Sequence, residues 1–349
     1  MIKIILIFTF VIVNLSQLSL AKIASVVGNP ITNERYFEVN KDTRNYPASL
    51  TKIMTLFIVF NELDKNNLNL NDIVVFSKKA TEQQPSKLNI PQGKSITVDQ
   101  AIDALIIKSA NDVAIAIAEK ISGSEKDFVK KMNLYAKEIG LKNTNFANPH
   151  GLPNKLNLSS ANDIFILSSE LIKRYPEYLD RFKRKKFTIN GKTYKTHNTL
   201  LNKYDYYIGL KTGYIRKSGF QISLLSKIDD NYLIGVYFGG NSAKERNNKI
   251  HFLMNKYQNK QSRNKDNYKS SDLPNNYIVE TSSFKKISDS KKHISFLQKK
   301  VFFLRDHYHH IYKRGKFFVS FFELDSLSKA KFLCNEMKKK RLDCIVKTN

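Results

Sequence analysis

The densest apolar stretch of the chain follows "NYPAS". From Leu50 to Leu63, Leu, Ile, Met, Phe and Val fall at nearly every helical angle, which predicts a helix buried on all sides. Ser49 and Lys52 stand at its mouth, three residues apart and so on one face of the first turn. A second stretch, "LIIKSANDVAIAIAEKI" (105–121), divides into two apolar-periodic helical runs around Ser109-Ala110-Asn111. That pattern puts the hydroxyl and the amide on an exposed connection. A third, "YYIGLKTGYIRKSGFQISLLSK" (206–227), alternates as strands do and carries Lys211-Thr212-Gly213, where the glycine would let a ligand approach the backbone closely.

The patterning stops at "QNKQSRNKDNYKSSDLPN" (258–275), which is polar, poor in large apolar residues and closed by Pro274. We expect a linker there, between a domain spanning 22–257 and another spanning 276–349. Beyond it, "NYIVETSSF" predicts a strand and 289–300 a helix. "KFFVSFFEL" predicts a strand, "SLSKAKFLCNEMKKKR" an amphipathic helix and "DCIVKT" a last strand. No repeat at solenoid spacing is present.

The first 21 residues, "MIKIILIFTFVIVNLSQLSLA", have one basic residue (Lys3), an apolar run from Ile4 to Val13, and Ser19 and Ala21 at cleavage spacing. The apolar run is short for a bilayer span, so a secretory signal cut after Ala21 is expected, and with it a mature protein in the periplasm, free or peripheral to the cell wall or inner membrane. Export changes the meaning of the net charge of +27 in 349 residues. Outside the cytoplasmic membrane the anionic partners are wall carboxylates and lipid headgroups, and a nucleic-acid partner is not expected. Residues 275–349 hold 17 Lys/Arg against 7 Asp/Glu, so the tail is more basic than the chain as a whole. Two cysteines, Cys334 and Cys344, exclude a cysteine-rich metal site or disulfide scaffold in the main body. The pair either bridges or remains as two buried thiols. "HYHH" (307–310) has odd spacing and no carboxylate partner, so no metal and no cofactor are expected.

A lysine in apolar surroundings is disfavoured as an ammonium, and its free amine can take a proton from an adjacent serine. The helix N-terminus adds N–H groups for a developing oxyanion. Alternatively Ser49 is an N-cap and Lys52 snorkels to solvent. The sequence decides between these by context. S-x-x-K at 49–52, S-x-N at 109–111 and K-T-G at 211–213 occur in the order that marks penicillin-recognising serine enzymes.

With "PASLTKIMT", "KSANDVAIAIAE", "FANPHGLP" and "GLKTGY", the chain over about 24–257 resembles the serine D-alanyl-D-alanine carboxypeptidases, the low-molecular-mass penicillin-binding proteins. The resemblance implies an α+β fold (an α/β sandwich), a β-lactamase/transpeptidase-like antiparallel sheet flanked by helices. It implies that Ser49 attacks the penultimate D-Ala carbonyl of a peptidoglycan stem peptide and that Lys52 takes its proton. Ser109 and Lys211 would relay a proton to the departing amine, and Asn111 would hold the substrate amide. Backbone N–H groups of Ser49 and Tyr214 would form the oxyanion hole. Thr212, Gly213 and Tyr214 would line the substrate, and Arg246, rather than Lys244 or Lys249, would pair with its terminal carboxylate. His150 is taken as structural. β-Lactams would acylate Ser49, and they would leave slowly, because Pro153 stands where an E-x-x-L-N pattern ending at Leu156-Asn157 would need its glutamate. A D,D-endopeptidase acting on crosslinks and an inert wall-binding scaffold are the alternatives. Residues 276–349 resemble a SPOR domain, a βαββαβ module, which implies binding to glycan strands stripped of stem peptides.

Overall fold

The apolar run after Ser49 folds as helix α1 (Lys52–Asp64), preceded by a 3-10 turn at Ala48–Thr51. The computed structural model describes residues 23–228, 231–262, 277–300, 309–324, 327–339 and 342–348. In it 11 of the 13 residues of α1 are buried, which is why the segment shows no polar stripe. The expected signal segment, 1–21, lies outside the described residues. The chain divides into two compact units, Met1–Asp266 and Asn267–Asn349.

The first unit is built on five strands: β1 (Ala24–Gly28), β2 (Arg35–Val39), and the late strands β7 (Tyr207–Ile215), β8 (Gly219–Ile228) and β9 (Asn231–Gly240). Their order is β2-β1-β9-β8-β7 and every neighbouring pair is antiparallel. Two small hairpins lie between them in sequence, β3 (Ile73–Val75) with β4 (Ser95–Thr97) and β5 (Lys186–Ile189) with β6 (Lys192–Lys195). The helices are α2 (Lys78–Thr81), α3 (Val98–Asp103), α4 (Asn111–Ser122), α5 (Glu125–Glu138), α6 (Ala161–Arg174), α7 (Leu179–Phe182) and α8 (Ala243–Ser262).

Alternation along the strands makes two cores. On β9, Ile234, Val236 and Phe238 join the larger core with α1, α4 and α6, while Leu233 and Tyr237 face the other way, with Ile250, Leu253 and Met254 of α8. The sheet is thus sandwiched by helices, and α1 lies in the middle of the thicker layer.

One boundary differs from expectation. Helix α8 continues to Ser262, so the first five residues of the stretch expected as linker from 258 are helical. Gln258 is buried there and its side chain accepts a hydrogen bond from Ser226 Oγ at 3.2 Å. Gln and Lys are good helix formers, so a polar composition that lacks apolar period extends an anchored helix as readily as it makes a linker. The remainder of that stretch, 263–275, lies outside the described residues.

The second unit runs β10 (Tyr277–Phe284), α9 (Ile287–Lys300), β11 (His309–Arg314), β12 (Phe317–Leu324), α10 (Leu327–Lys339) and β13 (Ile345–Thr348). Its sheet is antiparallel in the order β11-β12-β10-β13. Val279, Leu297, Phe322, Leu333 and Met337 form its core. Cys334 and Cys344 are disulfide-bonded beside that core, with Cα atoms 5.6 Å apart. Among the described residues no helix is long and apolar enough to cross a membrane.

Candidate active site

The turn that presents Ser49 is tightly wedged. Ala48 has φ +47°, a left-handed conformation that costs a non-glycine residue about 1–2 kcal/mol. Two glycines make room for it. Gly151 has φ +87°, and a Cβ there would overlap the Ala48 carbonyl oxygen and lie 3.0 Å from Ser49 N. At Gly213 on β7 a Cβ would meet Ala48 Cβ, Pro47 O and Ser49 N, each at 3.2 Å. The sequence suggested that Gly213 leaves space for a ligand. It lines the cavity beside Ser49, but the space its missing side chain frees is taken by the serine turn itself.

Lys52, the first residue of α1, is fully buried. Its Nζ lies 2.7 Å from Asn111 Oδ1, 2.7 Å from the His150 carbonyl oxygen and 3.3 Å from Ser49 Oγ. Burial first, then the charge of Lys211, holds its pKa well below the ordinary lysine value, with Asp112 opposing. A neutral amine has two N–H groups and one lone pair. Asn111 Oδ1 and His150 O are pure acceptors, so they occupy both N–H groups and leave the lone pair to the Ser49 hydroxyl. The amide orientation of Asn111 is set on its other side, where Nδ2 donates to Gln84 O at 2.9 Å.

Ser109 and Asn111 are not on an exposed connection: each is only 4% exposed. The chain leaves α3 through a π-helical turn, Ala104–Lys108, and Ser109 stops it in the left-handed region at φ 60°, ψ 38°. This reversal points the connection inward, against α1, where Asn111 meets Lys52. The Ser109 hydroxyl is buried and has no hydrogen-bond partner. Asp112, next along α4, accepts from the backbone N–H groups of Leu88, Asn89 and Val113 and so ties down the 86–89 segment, while Asn111 N donates to Ser86 O at 2.7 Å.

Lys211 and Arg246 are the other buried Lys and Arg side chains among the described residues. Burial, then the Arg246 charge, lowers Lys211 to about 7, and its Nζ donates to Thr212 O at 3.0 Å. Burial lowers Arg246 to about 10. Its Nη1 donates to Gln221 O at 2.8 Å and its Nε to Asn247 Oδ1 at 2.9 Å, and among the described residues no carboxylate pairs with it. Ser49, Ser109, Asn111, Thr212, Gly213, Tyr214 and Arg246 all line one cavity of about 360 Å³. Lys52 and Lys211 are buried in its wall, and neither Lys244 nor Lys249 lines it.

Three contributors were not visible from sequence. His150 serves Lys52 through its backbone oxygen, while its ring Nδ1 accepts from Leu152 N at 3.0 Å and burial depresses its pKa to about 3. Ser86 and His197 also line the cavity. The only sequence signal for His197 is that a titratable ring precedes the polar Asn198-Thr199 pair.

The profile of the D-alanyl-D-alanine carboxypeptidase family, peptidase S11, matches residues 18–242. D-alanyl-D-alanine carboxypeptidase DacF of Bacillus subtilis is 37% identical over 228 residues, covering 63% of this chain and 57% of that protein. DacA of Haemophilus influenzae is 35% identical over 213 residues, covering 60% of this chain and 54% of that protein. The chain thus matches little more than half the length of these curated relatives. Among solved structures, penicillin binding protein 5 of Haemophilus influenzae superposes with a TM-score of 0.64 at 28% identity, covering 77% of this chain and 73% of that one. Penicillin-Binding Protein D2 of Listeria monocytogenes in its ampicillin-bound form gives 0.62 at 28% identity, covering 69% and 98%. Motif order, sheet topology and the arrangement around Ser49 agree with these likenesses, and the chain belongs to the D-alanyl-D-alanine carboxypeptidase family, peptidase S11.

Proposed function

We propose that this protein is a serine D,D-carboxypeptidase that removes the terminal D-Ala of peptidoglycan stem peptides through an acyl-enzyme on Ser49. The observation that carries the reading is the proton inventory of Lys52, whose two N–H groups are engaged by Asn111 and His150 and whose lone pair faces Ser49 Oγ. Ser49 passes its proton to that lone pair as Oγ bonds to the penultimate D-Ala carbonyl carbon. The oxyanion is received by the Ser49 and Tyr214 N–H groups. As the C–N bond breaks, Ser109 and Lys211 relay a proton to the departing amine; a group lowered to about 7 is suited to giving and taking protons near neutrality. Thr212 and Arg246 hold the terminal carboxylate, for which a buried guanidinium without a carboxylate partner is a fitting receptor. Water then releases the shortened peptide and restores Ser49.

β-Lactams are the corresponding acylating inhibitors, a reading supported by the ampicillin-bound Listeria relative. Release is slow, since among the described residues no acidic side chain lines the cavity to activate water. The β-α-β-β-α-β order and basic charge of 276–349 support a SPOR-like unit that holds the enzyme on glycan strands stripped of stem peptides. With residues 1–21 as a signal, the enzyme acts in the periplasm.

The test is labelling of the purified protein with a fluorescent penicillin beside Ser49→Ala, followed by assays of D-alanine release from a peptide ending in D-Ala-D-Ala and of cleavage of a crosslinked dimer to monomers. Labelling lost in the variant and release from the linear peptide are expected. A folded wild type that takes no label would end the enzyme reading, and cleavage of the dimer to monomers with no D-alanine released from the linear peptide would make it an endopeptidase.

A further inference from the structure

A residue outside the three motifs stands at the same cavity, and its surroundings assign it a task. His197 lies in "KTHNTLL", one residue before the N-cap Asn198 of the short helix Thr199–Asn202 that precedes β7. The backbone there is held on both sides: Asn198 Oδ1 accepts from Leu200 N at 3.2 Å, and Asn198 N donates to Thr196 Oγ1 at 3.2 Å. The same segment is tied to the buried arginine by a chain of hydrogen bonds. Asn247 Nδ2 donates to Thr199 Oγ1 at 2.9 Å, and Asn247 Oδ1 accepts from Arg246 Nε at 2.9 Å. His197 and Arg246 are therefore set in one frame, and both line the cavity that holds Ser49.

We propose, building on the carboxypeptidase reading, that His197 is a second receptor for the carboxylate of the substrate's leaving residue and takes up a proton as that anion enters. His197 is exposed and lines the cavity, so a ligand there can reach it. The titratable groups facing it come from four elements and are all bases: Lys211 on β7, Lys108 on the π-helical turn, Lys52 on α1 and Arg246 on α8. His150, the other histidine at the cavity, is held neutral. Without an anion, desolvation and then these basic neighbours lower His197 to about 4, so the ring is neutral at pH 7. A carboxylate placed against Thr212 and Arg246 offsets the cations, which makes protonation favourable and adds a charge-assisted donor to the anion. Binding then strengthens as the pH falls.

The size follows from linkage: if the bound anion restores two of the lost pH units, affinity near pH 5 exceeds that near pH 7.5 by about tenfold. The experiment follows the second-order rate of acylation by a fluorescent penicillin, itself a carboxylate, from pH 5 to 8 in the wild type, H197Q and H197R. The wild-type to H197Q ratio cancels the titration of Lys211. It is expected to rise about tenfold towards pH 5, whereas H197R, always charged, acylates with no such acid-side rise. In parallel, calorimetry of a D-Ala-D-Ala peptide binding to Ser49→Ala, in buffers of different ionisation enthalpy, is expected to show proton uptake that is lost when His197→Gln is added. A flat ratio, or uptake unchanged by His197→Gln, in a protein whose wild type takes the label would overturn this proposal and leave the carboxypeptidase reading standing. A wild type that takes no label removes both.

Discussion

Gly151→Ala tests how closely the serine turn and the Lys52 acceptor loop are interlocked. A Cβ at 151 would lie 1.8 Å from the Ala48 carbonyl oxygen, and reaching an ordinary contact of 3.4 Å requires a shift of about 1.6 Å. Only two pieces can move. One is the Pro47–Ser49 turn, which carries the nucleophile. The other is the His150–Gly151 segment, whose carbonyl accepts one of the two short Lys52 hydrogen bonds. Neither escape spares the site, and a misplacement of about 1 Å is worth about 100-fold in rate. The left-handed φ and the clash together cost about 2–3 kcal/mol, or roughly 4–12 °C in Tm for a unit of this size. Gly123→Ala is the matched control, because Gly123 has φ +73° but nothing within 4 Å of its would-be Cβ. It should lose about 1–2 kcal/mol with acylation intact. The assay is the rate of fluorescent-penicillin acylation alongside thermal unfolding for both variants. Should folded Gly151→Ala acylate within threefold of the wild type, the interlock described here is wrong.

Three further outcomes are expected. Asp112→Ala strands the N–H groups of Leu88 and Asn89 and should cost about 2–4 kcal/mol by urea unfolding. Acylation should slow as well, because the 86–89 segment behind Asn111 is released. For Lys211, the folded pKa of about 7 lies below the unfolded 10.5, so between those pH values the unfolded chain holds the extra proton and stability climbs as pH rises. Burying the ammonium below that window is the unfavourable case, and Lys211→Met should therefore flatten the gain in urea-unfolding stability between pH 7 and 9.5. Replacing Cys334 and Cys344 by serine opens a loop with a sequence separation of 10. This should make the second unit about 2–3 kcal/mol less stable, read as faster limited proteolysis of that unit, with penicillin acylation unchanged.

The frame of the candidate site was largely legible because its residues carry unusual chemistry in unusual places. A lysine at the head of a segment without a polar stripe has few structural uses, and Ser49, Lys52 and the K-T-G strand stand out for that reason. The exposure of Ser109 and Asn111 was misjudged because a break between two apolar runs ordinarily marks a surface loop. Here a π-helical turn and one left-handed residue fold the break inward, and neither leaves a mark on apolar periodicity. His150 O was invisible for a different reason: a backbone carbonyl has the same chemistry at every residue, so only the path of the chain reveals what it accepts. The end of α8 eluded periodicity because its last turn is polar throughout, its placement deriving from the buried Ile250 and Met254 further back. In the second unit, α9 begins at Ile287, two residues before the helix expected at 289, a shift within the usual fraying of helix ends.

The position of β1 within the sheet also governs how the chain must be made. β1 is an interior strand, paired on one side with its neighbour in sequence, β2, and on the other with β9. Ser25 Oγ donates to Val236 O across 211 positions of chain. At a synthesis rate of about 5–20 residues per second, the first strand exists for roughly 10–40 s before its partner does. Throughout that interval one edge of the β1–β2 hairpin is bare, a template for pairing with any other extended chain. Folding of this unit is accordingly a late event of high contact order, slow to begin and dependent on holding the nascent chain apart from its neighbours. Any truncation before Asn231 would leave β1 without its partner β9.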